Sequence, residues 1–132
     1  MSRASATFKI ESWNEDSYAE IEGGGKLTQA SVEQSIAGDI EGTGSVRWLM
    51  CYRPDKTAEF VGLQRIVGRL GDREGSFVLL QTAGTFDGRE AKGELAVVAG
   101  AVTGELEGLR GTGSFSAPRE GKPSLTLEYD FE

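Results

Sequence analysis

Four polar residues in the first half of the chain have the types and spacing for acid–base chemistry. When cross-strand partners are counted outward from the predicted turns, Glu33, Tyr52, Glu59 and Arg65 fall on one face of the sheet. A glutamate in such a group can act as a general base, the tyrosine as a proton donor, and the arginine as a clamp for an oxyanion or carboxylate. The same groups also suit a structural ion pair at a solvated edge, because buried charges are stable only when they are paired.

Several other kinds of chemistry are excluded by the composition. The chain has no histidine, so it contains no Ser-His-Asp triad, no Cys-His pair and no histidine-ligated metal. The single cysteine, Cys51, cannot form an internal disulfide and does not make a zinc site by itself. We therefore expect no metal and no cofactor, and we expect any chemistry to use carboxylates, tyrosine, arginine, lysine or the thiol.

The length of 132 residues is typical of one domain, so we assign residues 1–132 to a single domain. With 21 acidic and 14 basic residues, the net charge of −7 disfavours nucleic acid and anionic membranes as partners. The longest apolar stretch, Leu95 to Val102, is too short to span a bilayer, and the first residues lack the apolar region of a signal peptide. These features predict a soluble cytoplasmic protein.

Apolar and polar residues alternate with a period of two along most of the chain, which predicts strands rather than helices. Glycine, aspartate and proline end the alternating segments. We predict a long mobile loop at residues 14–26 and eight strands, which run from Ala4 to Trp13, Leu27 to Ile40, Gly44 to Arg53, Thr57 to Leu70, Gly75 to Phe86, Arg89 to Ala99, Gly111 to Ala117 and Ser124 to Phe131.

The connections between these strands are short, which forces each strand to pair antiparallel with the one before it. A meander of eight long strands removes its two exposed edges by closing on itself. The predicted fold class is therefore all-β, an eight-stranded antiparallel up-and-down β-barrel. The interior of such a barrel holds side chains or one small ligand.

The predicted turns also assign the two faces of the barrel wall. The cross-strand partners are counted from turns predicted at Thr43, Asp55-Lys56, Gly71-Asp72 and Asp87-Gly88. The candidate ligand-binding residues on the inward face are Glu33, Trp48, Met50, Tyr52, Glu59, Leu63, Arg65, Leu80, Thr82 and Leu95. The outward face carries Ile36, Leu49, Cys51, Phe60, Ile66, Phe77, Leu79 and Val98. Unless the termini or the long loop cover it, such an apolar outer wall predicts a homo-oligomer.

Five stretches of the sequence resemble one bacterial protein family. They are ESW at Glu11–Trp13, GDIEGTG at Gly38–Gly44, LMCYRPDKTAEFVGLQRIVGRLGDREGSFVL at Leu49–Leu79, GTFDG at Gly84–Gly88 and TGELEGLRGTGSF at Thr103–Phe115. Together they resemble the family called domain of unknown function 3224 over nearly the whole chain. The resemblance implies an eight-stranded, calycin-like barrel similar to that of allene oxide cyclase. It implies no catalytic residues, although relatives in the wider group cyclise or couple reactive hydrophobic intermediates.

Three functions fit these observations. The first hypothesis is a barrel that binds a small apolar or amphipathic molecule in its interior, lined by residues such as Trp48 and Met50. The second is an enzyme of the cyclase, isomerase or lyase type that uses the acid–base group described above. The third is a filled barrel with a structural or assembly role. A cavity inside the barrel would support the first two hypotheses, and a solid interior would exclude both and leave the third.

Overall fold

The computed structural model describes all residues from Met1 to Glu132, and its regular elements are all β-strands. The strands are β1 (Ser2–Ile21), β2 (Gly25–Gly38), β3 (Ile40–Tyr52), β4 (Ala58–Leu70), β5 (Arg73–Phe86), β6 (Glu90–Gly104), β7 (Leu109–Pro118) and β8 (Ser124–Phe131). Each strand pairs antiparallel with the next, and β8 pairs with β1 to close a barrel, so the predicted fold class is confirmed. No helix in the structure has the length and apolar character needed to cross a membrane.

Strand β1 continues far beyond Trp13, where the sequence predicted the end of a strand and a mobile loop. Its first residues, Ser2–Thr7, pair with β8, and the residues from Ala6 to Ile21 pair with β2. The register shifts between Ile10 and Ser12, so Glu11 is the extra residue of a β-bulge. A bulge exchanges the faces of a strand and interrupts the alternation without ending the strand. The predicted loop at residues 14–26 was therefore wrong.

The turn between β2 and β3 lies at Asp39 rather than at the predicted Thr43. Asp39 is fixed to β1 because its carboxylate accepts a hydrogen bond from the Ser5 N–H at 2.9 Å, and its own N–H donates to the Ser5 carbonyl at 2.9 Å. Gly44, which suggested the later turn, lies inside β3. A Cβ at this position would lie 2.9 Å from the amide nitrogen of Gln64, so the glycine makes room for a buried side chain.

The connection between β3 and β4 spans Arg53–Thr57, an odd number of residues where the prediction assumed an even number. Tyr52 consequently pairs with Ala58, and this shift of one residue exchanges the two faces of β4. The turn between β4 and β5 was predicted correctly, so the exchange continues into β5. The register between β5 and β6 shifts near Ala83, which has a φ of 53°. This shift exchanges the faces a second time, so the inner and outer faces of β6 are the predicted ones.

The interior of the barrel is filled by side chains. A single core cluster contains 21 buried apolar residues. Its largest fully buried members are Phe77, Ile40, Ile66, Leu79, Leu106 and Leu127. Several of these lie near the end of the barrel that carries the β2–β3 and β4–β5 turns, because Ile40 begins β3 and Phe77 lies near the start of β5. The opposite end carries the β1–β2 and β3–β4 connections.

Candidate functional site

The structure divides the ten residues that the sequence placed inside the barrel. Trp48, Met50 and Leu95 are buried on the inner face, and Tyr52 is partly buried beside them. The other six are exposed on the outer surface, so their inward placement was wrong; they are Glu33, Glu59, Leu63, Arg65, Leu80 and Thr82. The shift at the β3–β4 connection accounts for the residues in β4 and β5, and the misplaced β2–β3 turn accounts for the residue in β2.

The acid–base group predicted from the sequence is not assembled. Glu59 forms an ion pair on the outer surface with Arg53 of the β3–β4 connection. Tyr52 points to the inner face instead, where its hydroxyl lies 3.8 Å from the Met50 sulfur. The tyrosine is therefore separated by the barrel wall from the glutamates and the arginine that were expected to act with it. The errors at the β2–β3 turn and the β3–β4 connection also affect the apolar residues that were predicted to be outward. Five of them lie in the core instead: Ile36, Phe60, Ile66, Phe77 and Leu79.

A chain of buried side-chain hydrogen bonds crosses the inner face of four neighbouring strands. The Trp48 indole N–H donates to the Gln81 carbonyl at 2.5 Å. The Gln81 amide donates to Gln64 at 2.9 Å, and the Gln64 amide donates to Gln34 at 2.6 Å. We call these four residues, all of which are buried, the glutamine ladder. A ligand at this level would have to break hydrogen bonds that the side chains already make among themselves.

Beside the glutamine ladder, three buried aromatic rings pack against one another. The ring centroids of Trp48 and Phe60 are 5.4 Å apart, and those of Phe60 and Phe115 are 6.1 Å apart. Glycines in the neighbouring strands, which pair with the phenylalanines, make the space for the phenylalanine rings. A Cβ at Gly84 would lie 2.5 Å from the Phe60 ring, and a Cβ at Gly93 would lie 2.8 Å from the Phe115 ring. Strand glycines here mark close approach of a neighbour.

Trp13 of β1 covers this aromatic cluster on the side of the solvent. The bulge at Glu11 turns Trp13 to the inner face, where it pairs with Val32 of β2. The Trp13 ring centroid lies 5.5 Å from that of Trp48, yet Trp13 is 42% exposed. Its indole N–H donates to the Glu15 carboxylate at 3.0 Å. The large side chain of Trp13 is thus partly exposed to solvent at one end of the barrel.

Glu15 is the centre of a polar group at the same end of the barrel. Besides the Trp13 indole, its carboxylate accepts a hydrogen bond from the Thr28 hydroxyl at 2.6 Å and interacts with the Tyr52 hydroxyl. The Lys26 ammonium lies over the Tyr52 ring, 5.3 Å from its centroid. We call Trp13, Glu15, Lys26, Thr28 and Tyr52 the mouth cluster.

The mouth cluster holds its carboxylate and its phenol in opposite protonation states. Partial burial raises the pKa of Glu15, but the surrounding hydrogen-bond donors and the charge of Lys26 outweigh it and hold the pKa below its ordinary value of 4.5. Partial burial and the Glu15 carboxylate raise the pKa of Tyr52 to about 12. At neutral pH an ionised acceptor therefore lies beside a protonated hydroxyl, an arrangement that both ligand binding and general acid–base chemistry can use.

Protonation of Glu15 is expected to be visible at the Trp13 indole N–H. Because the pKa of Glu15 is lowered in the folded state, its ionised form stabilises the fold at pH values above the unfolded-state pKa. This stabilisation is lost as the pH falls through the folded-state pKa. We expect the NMR signal of the Trp13 indole N–H to titrate with a midpoint below 4.5. Glu15→Gln should abolish this titration and reduce the loss of unfolding free energy in acid.

The exposed Glu22 of the β1–β2 turn supplies the control for this titration. Glu22→Gln is expected to leave the Trp13 titration unchanged. An indole signal that does not move in acid would contradict the assigned hydrogen bond, and so would equal effects of the two substitutions.

Sequence reasoning missed Trp13 and Glu15 as site residues. The sequence does contain a signal for them, because the inner-face residues change from even numbers to odd numbers at the bulge. Phe8 and Ile10 lie on the inner face before the bulge, and Trp13 and Glu15 lie on it afterwards. An interruption of this kind was interpreted as the end of a strand.

Depressions of the surface also lie outside the barrel. One of about 500 Å³ is lined by outward polar side chains that include Thr82, Glu94 and Glu128. Another, of about 310 Å³, is mostly apolar and is lined in part by Leu49 and Val61. No group of three or more His, Cys, Asp or Glu side chains is placed to hold a metal ion.

Comparisons with known proteins agree with this fold. The sequence profile of a family described as Protein of unknown function (DUF3224) matches residues 4–129. A crystal structure of a DUF3224 family protein of unknown function from Shewanella oneidensis MR-1 is similar, with a TM-score of 0.84 and 27% sequence identity over 100% of this chain and 98% of that chain. No curated protein matches the sequence. Because the profile covers nearly the whole chain, the protein belongs to the DUF3224 family, as the resemblance of its sequence indicated.

Proposed function

We propose that the protein binds a small amphipathic molecule at the mouth cluster, with its apolar part against the exposed side of the Trp13 ring and an N–H or O–H group that donates to the Glu15 carboxylate. The observation that carries this proposal is Trp13, which is 42% exposed above a buried aromatic cluster. A half-exposed ring beside a few convergent polar groups at the end of a barrel is typical of a ligand site.

The packing below the mouth sets how deeply a ligand can reach. Trp48 and Phe115 stack with their centroids 6.4 Å apart, and Trp48 is also bonded into the glutamine ladder. A ligand that entered further would have to displace these rings and break the ladder. Because the interior is filled, we do not keep the deep ligand site expected from the sequence, and we assign the ligand to the mouth instead. Of the residues proposed for the deep site, Trp48, Met50 and Tyr52 remain close to it.

Glu15 determines the chemistry of the preferred ligand. A molecule that stacks on the exposed part of the Trp13 ring lies next to the Glu15 carboxylate, which accepts from the indole and still has lone pairs for a further N–H or O–H donor. Because its pKa is lowered, the carboxylate is ionised at neutral pH, and the net charge of −7 repels anions. The ligand that fits is neutral or cationic, with a flat apolar body and an N–H or O–H group.

Calorimetric titration with three probes of one shape tests this proposal. Naphthylmethylamine, naphthylmethanol and naphthoate share their apolar body and differ in the charge of the head group. We expect the amine to bind with a Kd of about a millimolar or somewhat below, because small ligands gain roughly 0.3 kcal/mol per atom or a little more. We expect the alcohol to bind several-fold more weakly, and naphthoate to give no measurable heat. Failure of all three probes to bind, or equal binding of naphthoate and the amine, would contradict the proposal.

Variants of β1 then separate the mouth from the rest of the surface. Trp13→Ala is expected to abolish binding of the amine and the alcohol, whereas Glu15→Gln should remove the difference between them. Tyr18, which is 58% exposed on the same strand, is the matched control, and Tyr18→Ala should leave binding unchanged. Binding that is insensitive to Trp13→Ala would place the probe elsewhere.

A further inference from the structure

The outer surface of β3, β4 and β5 carries a continuous apolar patch. Leu49 pairs with Val61, and Leu63 pairs with Leu80, so the four side chains occupy adjacent positions on three strands. They are between 41% and 54% exposed, although leucine and valine are usually buried. We call these four residues the outer patch. It differs from the outward apolar set expected from the sequence, of which Leu49 is the shared member.

Two charged side chains of opposite sign flank the outer patch along β4. Glu59 lies two positions before Val61, and Arg65 lies two positions after Leu63. The side chains of Glu59, Val61, Leu63 and Arg65 all lie on the outer surface, and Gly62 is the central residue of this segment. A rotation of β4 by 180° about an axis that passes through Gly62 and is perpendicular to the strand exchanges Val61 with Leu63 and Glu59 with Arg65. Each apolar residue then coincides with an apolar residue, and each charge coincides with a charge of opposite sign.

We infer that the outer patch binds a second copy of this chain. In a symmetric dimer both copies present the same surface, so that surface must be complementary to itself. A two-fold axis that lies between the two sheets and crosses β4 at Gly62 makes the two β4 strands antiparallel. Val61 then packs against Leu63 of the partner subunit, and Glu59 faces Arg65 of the partner subunit. A partner of different sequence would not require this match of β4 with itself.

The size of the face indicates a weak dimer. Three strands at about 4.8 Å spacing and seven residues per strand at about 3.3 Å rise cover about 330 Å² per copy, less than half of the roughly 800 Å² of a standard interface. The ion pair between Arg53 and Glu59 within one chain competes with the contact between chains. Such an exposed pair contributes at most about 1 kcal/mol, so it can be exchanged. We therefore expect a dissociation constant in the high micromolar range.

Sedimentation velocity from micromolar to millimolar protein tests the inference. The unmodified protein is expected to change from monomer to dimer over this range. Leu63→Lys should remain a monomer throughout, because it places two like charges in the centre of the contact. Thr112→Lys, which adds the same charge at an exposed position of β7, is the control and should dimerise normally. Circular dichroism checks that both variants keep the fold.

Exchange of the flanking charges tests the orientation of the dimer. Glu59→Arg alone, or Arg65→Glu alone, is expected to raise the dimer Kd about tenfold, which corresponds to about 1.4 kcal/mol. The double variant restores opposite charges at each contact and should return the Kd to within about threefold of the original, a coupling of the size that double-mutant cycles detect. A monomer at millimolar concentration, a dimer that survives Leu63→Lys, or a double variant no tighter than the single variants would each overturn the inference.

Discussion

Gln64→Leu is expected to lower the free energy of unfolding by about 2–6 kcal/mol, because it breaks the glutamine ladder at its centre. Gln64 donates to Gln34 and accepts from Gln81. Leucine has a similar size and removes both hydrogen bonds, so a buried carbonyl and a buried amide lose their partners. Each such group costs roughly 1–3 kcal/mol. Urea denaturation followed by tryptophan fluorescence measures the loss.

A matched substitution on the outer face separates the hydrogen bonds from the change of residue type. Gln29 is exposed on β2, and Gln29→Leu should change stability by less than about 0.5 kcal/mol. Replacing the three ladder glutamines by leucine and Trp48 by phenylalanine removes every member of the ladder, and should recover most of the loss seen with Gln64→Leu. Equal stability of Gln64→Leu and the unmodified protein would show that the ladder is not formed.

Gly62→Ala is expected to destabilise the barrel by about 3 kcal/mol or more, because the added methyl group has no space. A Cβ at Gly62 would overlap the Arg47 carbonyl oxygen of β3 and lie 2.6 Å from Cδ1 of Trp48. The carbonyl is part of a strand that pairs with β4 along its length, so it cannot move without opening the sheet. Thermal denaturation measures the loss, and the near-ultraviolet circular dichroism of Trp48 should change with it.

Gly71→Ala is the control for this substitution. Gly71 lies in the turn between β4 and β5 with a φ of 63°, and a Cβ there meets no atom within 4 Å. Only the backbone conformation is strained, which costs of order 1 kcal/mol. A loss in Gly62→Ala that is no greater than in Gly71→Ala would contradict the close approach of β3 to β4.

The strands and their closure could be predicted because both depend on local patterns and short connections. The bounds of β8 were predicted without error, and those of β4 and β5 were predicted to within two residues. Antiparallel pairing of neighbours then leaves closure as the way to remove the edges. The likeness to the allene oxide cyclase barrel stays a prediction.

The inner and outer faces could not be predicted, because alternation shows which residues share a face but not which face is inside. That choice depends on how many residues each connection contains, and the β3–β4 connection between Tyr52 and Ala58 has an odd number of them. Gln64 and Gln81 made the error worse, since glutamine is usually exposed and here is buried with hydrogen-bond partners.

The mouth cluster was missed for a related reason. A β-bulge changes the phase of the alternation, and the bulge at Glu11 comes just before Trp13 and Glu15. The acidic and glycine-rich composition of the following residues then favoured a loop. Tyr52 was the member of the mouth cluster that the sequence placed among the candidate residues, although the structure surrounds it with different partners.

The assignment of the ligand to the mouth cluster is tested most directly by the two tryptophan indole signals in a proton–nitrogen correlation spectrum. The Trp48 N–H is buried in the glutamine ladder, whereas the Trp13 N–H donates to Glu15 at the solvent side. During titration with naphthylmethylamine we expect the Trp13 signal to move and saturate, and the Trp48 signal to move less. Saturable movement of the Trp48 signal alone, or movement of neither signal, would contradict a ligand site at the mouth.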